Sequence, residues 1–229
     1  LFDSRDYFVK VFNGKSKNPI EDFSKAENNL KSAIVIFERI KAEGKIPPPI
    51  MADIKSNDSL VKFFSNTTGI MSGIFGFEGE RTYLILFQNN MELRPGGGFI
   101  GSYGILKLKM GKITDFSIHD VYGADRQLRG HAEPPFALKR YLPVQHWYLR
   151  DSNFDVDFSK SAVSSSNLLN AEIGEKIAGV IGIDMYFVKN ILHATGPVYV
   201  PDYKETVTDV NLFKLIEAHN EKDFLRSLY

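Results

Sequence analysis

Three features are scarce in this chain of 229 residues: cysteine, an excess of charge of one sign, and long apolar runs. The absence of cysteine excludes disulfides, thiolate metal sites and a cysteine nucleophile. Because 28 basic residues balance 28 acidic ones, no overall positive field attracts nucleic acid, and we expect no nucleic-acid partner. No run of about 18 apolar residues is present, so we expect no segment of this sequence to span a bilayer.

The two ends of the sequence suggest a piece of a longer protein. Residues 1–5 have neither an initiator methionine nor a signal-peptide pattern, and residues 222–229 resemble the middle of a helix. We therefore expect a fragment that is truncated in its C-terminal domain and whose membrane anchor lies outside it. The chain is 43% hydrophobic, which at this length is enough to bury a sizeable core.

The first third of the chain has a helical pattern. Apolar residues recur every three or four positions from Ile20 to Ala42, and Gly44 with the prolines at 47–49 would end that helix. A second helix is predicted to start at Asn57 or Asp58. We assign residues 1–78 to an N-terminal helical region, for which a spacer or packing layer is the simplest interpretation.

From Arg81 onward, short apolar segments alternate with helical patterns. Strands are predicted over 83–87, 99–108, 113–121, 177–183 and 198–200, and helices over 134–142, 159–169, 185–194 and 208–219. Residues 110–112 are typical of a hairpin turn. This order predicts an α/β domain over 79–229, with a mixed central sheet covered by helices on both faces.

The densest polar segment, residues 88–104, follows the first predicted strand. Arg94 precedes three consecutive glycines that include Gly97 and Gly98. Glycines allow positive φ and close approach to a ligand, exposed N–H groups can surround an anion, and an arginine offers a fork of donors to phosphate. The spacing fits neither a P-loop nor a dinucleotide fingerprint. Since any tight turn also uses glycines, anion binding and a simple turn both stay open.

Two further segments concentrate charge outside regular structure. Residues 147–158 contain Arg150 and Asn153 among aspartates, and this loop would suit either a hard cation or a local arginine–aspartate pair. Asp120, Asp125 and Arg126 lie at the end of the third predicted strand, where α/β sheets commonly place ligands. We consider them candidates for a charged network.

These segments resemble a known family. Residues 86–90, 92–95 and 97–104 are similar to the signature of the bacterial domain of unknown function four thousand and twelve. Residues 120–125, 149–162, 179–184 and 194–198 continue the resemblance in the same order, so that it covers about residues 81–229.

That family is distantly similar to the LytR-CpsA-Psr proteins, and the match retains Arg94 and Asn153 of their motifs. LytR-CpsA-Psr proteins are membrane-anchored, extracytoplasmic enzymes that transfer glycopolymers from polyprenyl-pyrophosphate lipids to the cell wall, using magnesium and arginines. The resemblance implies a cell-surface location, membrane attachment through a segment outside this chain, and a polyprenyl-linked glycan or other anionic envelope polymer as partner.

The residues and the resemblance together define the candidate sites, with no residue assigned to a catalytic step. The candidates for binding phosphate or another anion are Arg94, Gly97, Gly98, Arg126, Arg150 and Asn153. The candidates for holding Mg²⁺, the cofactor that the resemblance implies, are Asp120, Asp125, Asp151 and Asp157.

Three functions fit these candidates. The first is a magnesium-dependent phosphotransferase that moves a lipid-linked glycopolymer to the cell wall. The second is a non-catalytic envelope domain that binds an anionic glycan or lipid during polymer assembly. The third is a structural domain whose arginine–aspartate network only fixes its loops. The spatial relation of Arg94, Arg150 and the aspartates distinguishes the three.

Overall fold

The computed structural model describes residues 6–7, 9–11, 13–44, 66, 70–142 and 144–219. The chain divides into two compact units, the first formed by Leu1–Arg81 with Lys107–Thr114 and the second by Thr82–Leu106 with Asp115–Tyr229. The predicted helix start at Asn57 or Asp58 and the features predicted at both chain ends lie outside the described residues. The two units are therefore considered separately.

The first unit contains the long helix that the sequence predicts. Helix α1 spans Pro19–Ala42, and the Asn18 side chain caps its start by accepting from the Glu21 N–H. A short helix α2 spans Met71–Ile74. Phe23 of α1 packs on Phe77 with 4.2 Å between ring centroids, and Val11 completes this small core. The predicted helix over 20–42 is confirmed.

The central sheet has four strands in the order β3-β2-β1-β4. The strands are β1 (Arg81–Asn89), β2 (Phe99–Lys109), β3 (Lys112–Asp120) and β4 (Gly179–Asp184). Strands β1 and β4 are parallel, with Tyr83 opposite Gly179. The two-residue turn between β2 and β3 has positive φ at Met110 and Gly111, as hairpin turns of this length require. The sheet is therefore mixed, as predicted.

The core of the second unit forms around β1. The last six residues of β1 are all buried, which explains why its apolar residues are consecutive instead of alternating. Leu84 and Leu86 pack in one cluster with Ile100 of β2 and with Leu149 and Leu169. Because the strand is buried as far as its last residue, Asn89, the loop that follows it starts from a fixed position.

Four helices and one 3₁₀ turn follow or join these strands. Their bounds are α3 (Val121–Asp125), α4 (Phe136–Tyr141), the 3₁₀ turn (Leu149–Asp151), α5 (Phe158–Ile173) and α6 (Met185–Thr195). Helix α5 contacts α3, β4 and the 3₁₀ turn, and it ends at Gly174 in the left-handed conformation. Helix α3 was absent from the sequence prediction because it is only five residues long.

The C-terminal part of the second unit has its own small sheet and core. Strands β5 (Val198–Val200) and β6 (Glu205–Val207) pair antiparallel, and helix α7 spans Leu212–Ala218. The sequence predicted β5 but missed β6, and it started the last helix too early. Residues 208–211 form a turn instead, in which the Asn211 side chain accepts from the Thr208 N–H.

The fold class is thus α/β, with a four-stranded mixed sheet and an N-terminal helix, as the sequence predicts. In the part of the chain described, no helix combines the length and the apolar character needed to cross a membrane.

Truncation of a core leucine tests this assignment of the core. Leu84 is 0% exposed and Leu93 is 85% exposed, which makes them a matched pair. We expect Leu84→Ala to lower the free energy of unfolding by about 2–5 kcal/mol in urea denaturation, because it leaves a cavity. Leu93→Ala should change it by less than about 0.5 kcal/mol. Equal effects of the two substitutions would contradict the assignment.

Candidate functional site

Two arginines that are far apart in sequence meet at one carboxylate. Arg94 lies in the loop between β1 and β2, whereas Arg150 and Asp151 lie in the 3₁₀ turn. Arg94 Nε is 3.8 Å from Asp151 Oδ1, and Arg150 Nε is 3.4 Å from Asp151 Oδ2. The structure therefore brings together the two arginines that the sequence predicted, around an aspartate that was expected to hold a metal.

Arg150 also contacts a second carboxylate and two aromatic rings. Its Nη1 donates to Asp125 Oδ2 at 2.5 Å. Its guanidinium carbon lies 4.4 Å from the centroid of Tyr148 and 5.4 Å from that of Tyr122. Ring faces attract a cation and restrict its position. Arg150 is thus held from several sides, and its side chain is 22% exposed.

Arg94 is held less firmly than Arg150. Its Nη1 donates to its neighbour's carbonyl, Leu93 O, at 3.0 Å, and its guanidinium carbon lies 5.2 Å from the Phe99 ring centroid. Its Nε is buried and has no hydrogen-bond partner among the described residues, because Asp151 is too distant for one. The Arg94 side chain is 18% exposed.

The glycines beside Arg94 are explained by tight packing. Gly98 has φ of +140°, and a Cβ there would lie 2.3 Å from the Asn89 carbonyl oxygen at the end of β1. Gly97 has φ of +118°, and its N–H donates to Arg94 O. The Gly96 N–H donates to Asn153 O at 2.9 Å. The N–H groups of Gly96 and Gly97 are therefore used within the protein and do not form the predicted open cradle for an anion.

Asn153 joins the glycine loop to the 3₁₀-turn segment. Its Nδ2 donates to Gly98 O at 2.6 Å, its backbone oxygen accepts from Gly96, and the residue is 0% exposed. Gly98 is buried as well. Both residues were predicted to contact an anion, and they contact each other instead. Their role in this structure is to fix the loop that carries Arg94.

The four aspartates predicted to hold Mg²⁺ have other partners. Asp120 accepts from the Tyr122 N–H and caps α3, and Asp157 accepts from the Ser159 N–H and caps α5. Asp125 and Asp151 face arginines. Among the described residues no group of three or more metal-ligating side chains is suited to a metal ion. The residues present therefore do not fit the magnesium site that the resemblance implies.

Burial changes the protonation of the acids at this site. Burial raises the pKa of Asp125 and of Asp151, although Arg150 lowers both and Arg94 also lowers that of Asp151. Burial also raises the pKa of Glu172, on α5, to about 8, and the N–H of Leu149 opposes this by donating to the carboxyl. The protonated form of Glu172 is therefore favoured at pH 7.

The sequence prediction missed Glu172, although a signal was present. The buried residues of α5 are Ser161, Ser165, Leu168, Leu169 and Glu172, which lie on one helical stripe. A glutamate on an otherwise buried stripe indicates a carboxyl with internal partners. Arg126 is exposed and lines a cleft of about 620 Å³ together with Glu172. The structure thus places Arg126 at this cleft, and no hydrogen bond with Arg94 or Arg150 is found for it among the described residues.

A family profile described as "Protein of unknown function (DUF4012)" matches residues 78–220, which is more than half of the chain. The chain belongs to the DUF4012 family. No curated protein and no solved structure matches it.

The DUF4012 region contains every residue of the site described above. Arg94, Asp125, Arg150, Asp151 and Glu172 all fall within residues 78–220 and within the second unit. Helix α1 lies outside the DUF4012 match, in the first unit. The arginine–carboxylate cluster is therefore a feature of the DUF4012 domain itself.

Loss of the Asn153 side chain tests how the DUF4012 glycine loop is fixed. We expect Asn153→Ala to lower the free energy of unfolding by about 1–3 kcal/mol, because it leaves the buried Gly98 carbonyl without its donor. Asn167→Ala, at an exposed position on α5, is the matched control and should be neutral or slightly stabilising. Thermal denaturation in which Asn153→Ala is as stable as the control would contradict this role.

Proposed function

We propose that this DUF4012 domain is an extracytoplasmic cell-envelope domain that binds the phosphate group of a polyprenyl-linked glycan without transferring it. The observation that carries the proposal is the convergence of Arg94 and Arg150 on Asp151, with about a fifth of each side chain still exposed. The resemblance to LytR-CpsA-Psr proteins supports the compartment and the class of ligand.

The two guanidinium groups retain donors that an anion could use. Each guanidinium has five N–H donors, of which the described contacts use only the Nε and Nη1 groups. The hydrogen bonds that the two guanidinium groups form with described residues use Nη1 in both arginines. Because a paired guanidinium is already oriented, it loses little conformational freedom on binding a phosphate. The carboxylates thus serve to position the donors.

An apolar groove in the same unit supports a ligand with a hydrocarbon part. Ile183, Phe187, Val188, Ile191, Leu192, Thr195 and Val198 line a groove of about 210 Å³. Phe187 and Ile191 of α6 are nearly half exposed, although both are apolar. Exposed apolar residues that cluster around a groove are typical of binding surfaces. A polyprenyl chain has the matching chemistry.

A magnesium-dependent transferase is the other candidate that the resemblance implies. Such a reaction needs free carboxylates to hold the metal near the phosphate. Asp125 and Asp151 instead face arginines and have raised pKa values, which makes them poor ligands for a hard cation. These contacts favour binding over transfer.

Replacement of Arg94 tests the proposal with inorganic pyrophosphate as the probe. We expect the Kd from isothermal titration calorimetry at pH 7 to rise about tenfold or more in Arg94→Gln, because charge-assisted hydrogen bonds are lost. Arg39→Gln is the control, since Arg39 forms an exposed pair with Glu43 on α1, in the first unit. Its affinity should equal that of the wild type.

The lipid part of the proposal is tested separately. Phosphatidylcholine vesicles that contain a polyprenyl phosphate should bind the wild-type chain better than vesicles without it, and Arg94→Gln should lose the difference. Pyrophosphate affinity that is unchanged in Arg94→Gln would remove Arg94 from the site. Binding of pyrophosphate without any preference for the loaded vesicles would indicate a soluble phosphate ligand.

A further inference from the structure

We propose that Asp125 and Glu172 share one proton, and that loss of this proton weakens anion binding at Arg94 and Arg150. The pair itself follows from the geometry of the two carboxyls. The effect on ligand rests on the proposed function.

Each carboxyl has one satisfied oxygen and one buried oxygen that needs a donor. Asp125 Oδ2 accepts from Arg150, and Glu172 Oε1 accepts from the Leu149 N–H at 2.9 Å. Asp125 Oδ1 and Glu172 Oε2 are buried, and no N–H or hydroxyl of the described residues donates to either. Two orphan acceptors side by side would be costly, because burial without a hydrogen bond carries the full desolvation penalty.

One proton between the two carboxyls satisfies both oxygens. Helix α3, which carries Asp125, packs against α5, which carries Glu172, and each carboxyl is close enough to shift the pKa of the other. Two carboxylate anions hold no hydrogen to share, so one of the pair must be protonated. Carboxyl groups this close titrate in two separated steps, in which the second proton leaves only at high pH. The raised pKa of Glu172 agrees with this arrangement.

The ionisable groups around the pair favour Glu172 as the residue that carries the shared proton. Helix α3 contributes Tyr122 and Asp125, and the 3₁₀ turn contributes Arg150 and Asp151. In β4 the only ionisable side chain, Asp184, caps α6.

A tyrosine and two exposed arginines are the other ionisable neighbours of Glu172. Tyr103 of β2 has a pKa raised above its ordinary value by burial first and by Glu172 and Asp125 next, so it stays neutral. Arg126 and Arg129 line the cleft that Glu172 also lines. Both arginines are exposed, so solvent screens their effect on the carboxyl.

The shared proton sets the charge that an anion meets. With the proton in place, the two arginines are balanced by Asp125 and Asp151, and the cluster is neutral. Without it, Glu172 adds a buried negative charge in contact with Asp125 and near Arg150. A buried charge acts on its neighbours with little screening. An incoming anion is therefore opposed above the pH at which the proton leaves.

Linkage gives the direction of the effect on stability. The pKa of Glu172 is raised from its ordinary 4.5 to about 8, so the folded protein binds the proton more tightly than the unfolded chain. The stabilisation is complete below pH 4.5 and is lost as pH rises through about 8. The raised pKa values of Asp125 and Asp151 change stability in the same direction.

Glu172→Gln is the decisive variant because its amide reproduces both contacts. Its Oε1 can accept from the Leu149 N–H, and its Nε2 can donate to Asp125 Oδ1 with no proton to lose. Glu38→Gln, at an exposed position on α1, is the matched control. Infrared spectra of the full chain provide a second measurement, since the band of a protonated carboxyl should disappear with rising pH in wild type and control.

The experiment follows Tm and sulfate affinity from about pH 6 to about pH 9, on either side of the Glu172 titration. Sulfate keeps its charge over this range. In wild type and Glu38→Gln, we expect Tm to fall by about 5 °C or more and sulfate affinity to fall about tenfold, whereas Glu172→Gln should lose most of both dependences.

The outcomes separate the proton pair from the binding site. A pH profile of Tm that is identical in wild type and Glu172→Gln, with no carboxyl band lost, would overturn the shared proton. The expected Tm profile with sulfate affinity independent of pH would overturn its effect on the ligand. The expected Tm profile with no sulfate bound at any pH would overturn the proposed function, and with it the effect on ligand.

Discussion

The Asp151 carboxylate is buried next to the two arginines that carry the positive charge of this site. A buried carboxylate is costly unless cations or donors compensate for it, so Arg94 and Arg150 must stay close to it. This requirement holds the β1–β2 loop next to the 3₁₀ turn. Arg150 extends the same constraint to α3 through Asp125 and, beyond it, to Glu172 on α5. One ionic cluster thereby connects four separate segments of the DUF4012 domain.

The polar cluster depends on an apolar frame. Strand β1 contributes Leu84 and Leu86 to the main core, and Leu149, the first residue of the 3₁₀ turn, belongs to the same core. Asn153 then joins the two loops by backbone and side-chain hydrogen bonds. Because the first loop starts after the buried Asn89 and the second segment starts at the buried Leu149, the arginines are positioned before any ligand arrives. Such preorganisation is what a site for a phosphate group requires.

The sequence reveals elements whose pattern is local and strong. The apolar run of β1, the stripe of α1 and the turn at Met110 are all readable in this way. Strand β6 was not, because Glu205–Val207 is too short to show a period. The two arginines were predicted from their residue type. That Asp125 and Asp151 face these arginines, and not a metal ion, depends on contacts between distant segments, which the sequence does not reveal. Predicting Glu172 as a site residue would have required knowing which face of α5 is buried.

The central claim is that Arg94 and Arg150 form one anion-binding site around Asp151. Nuclear magnetic resonance of the arginine Nε–H groups tests it directly, because each group reports on its own surroundings. During titration with inorganic pyrophosphate, the Nε–H signals of Arg94 and Arg150 should shift together with one common Kd, while that of Arg39 stays fixed. Signals of Arg94 and Arg150 that do not move while pyrophosphate binds, or that follow different dissociation constants, would contradict the claim.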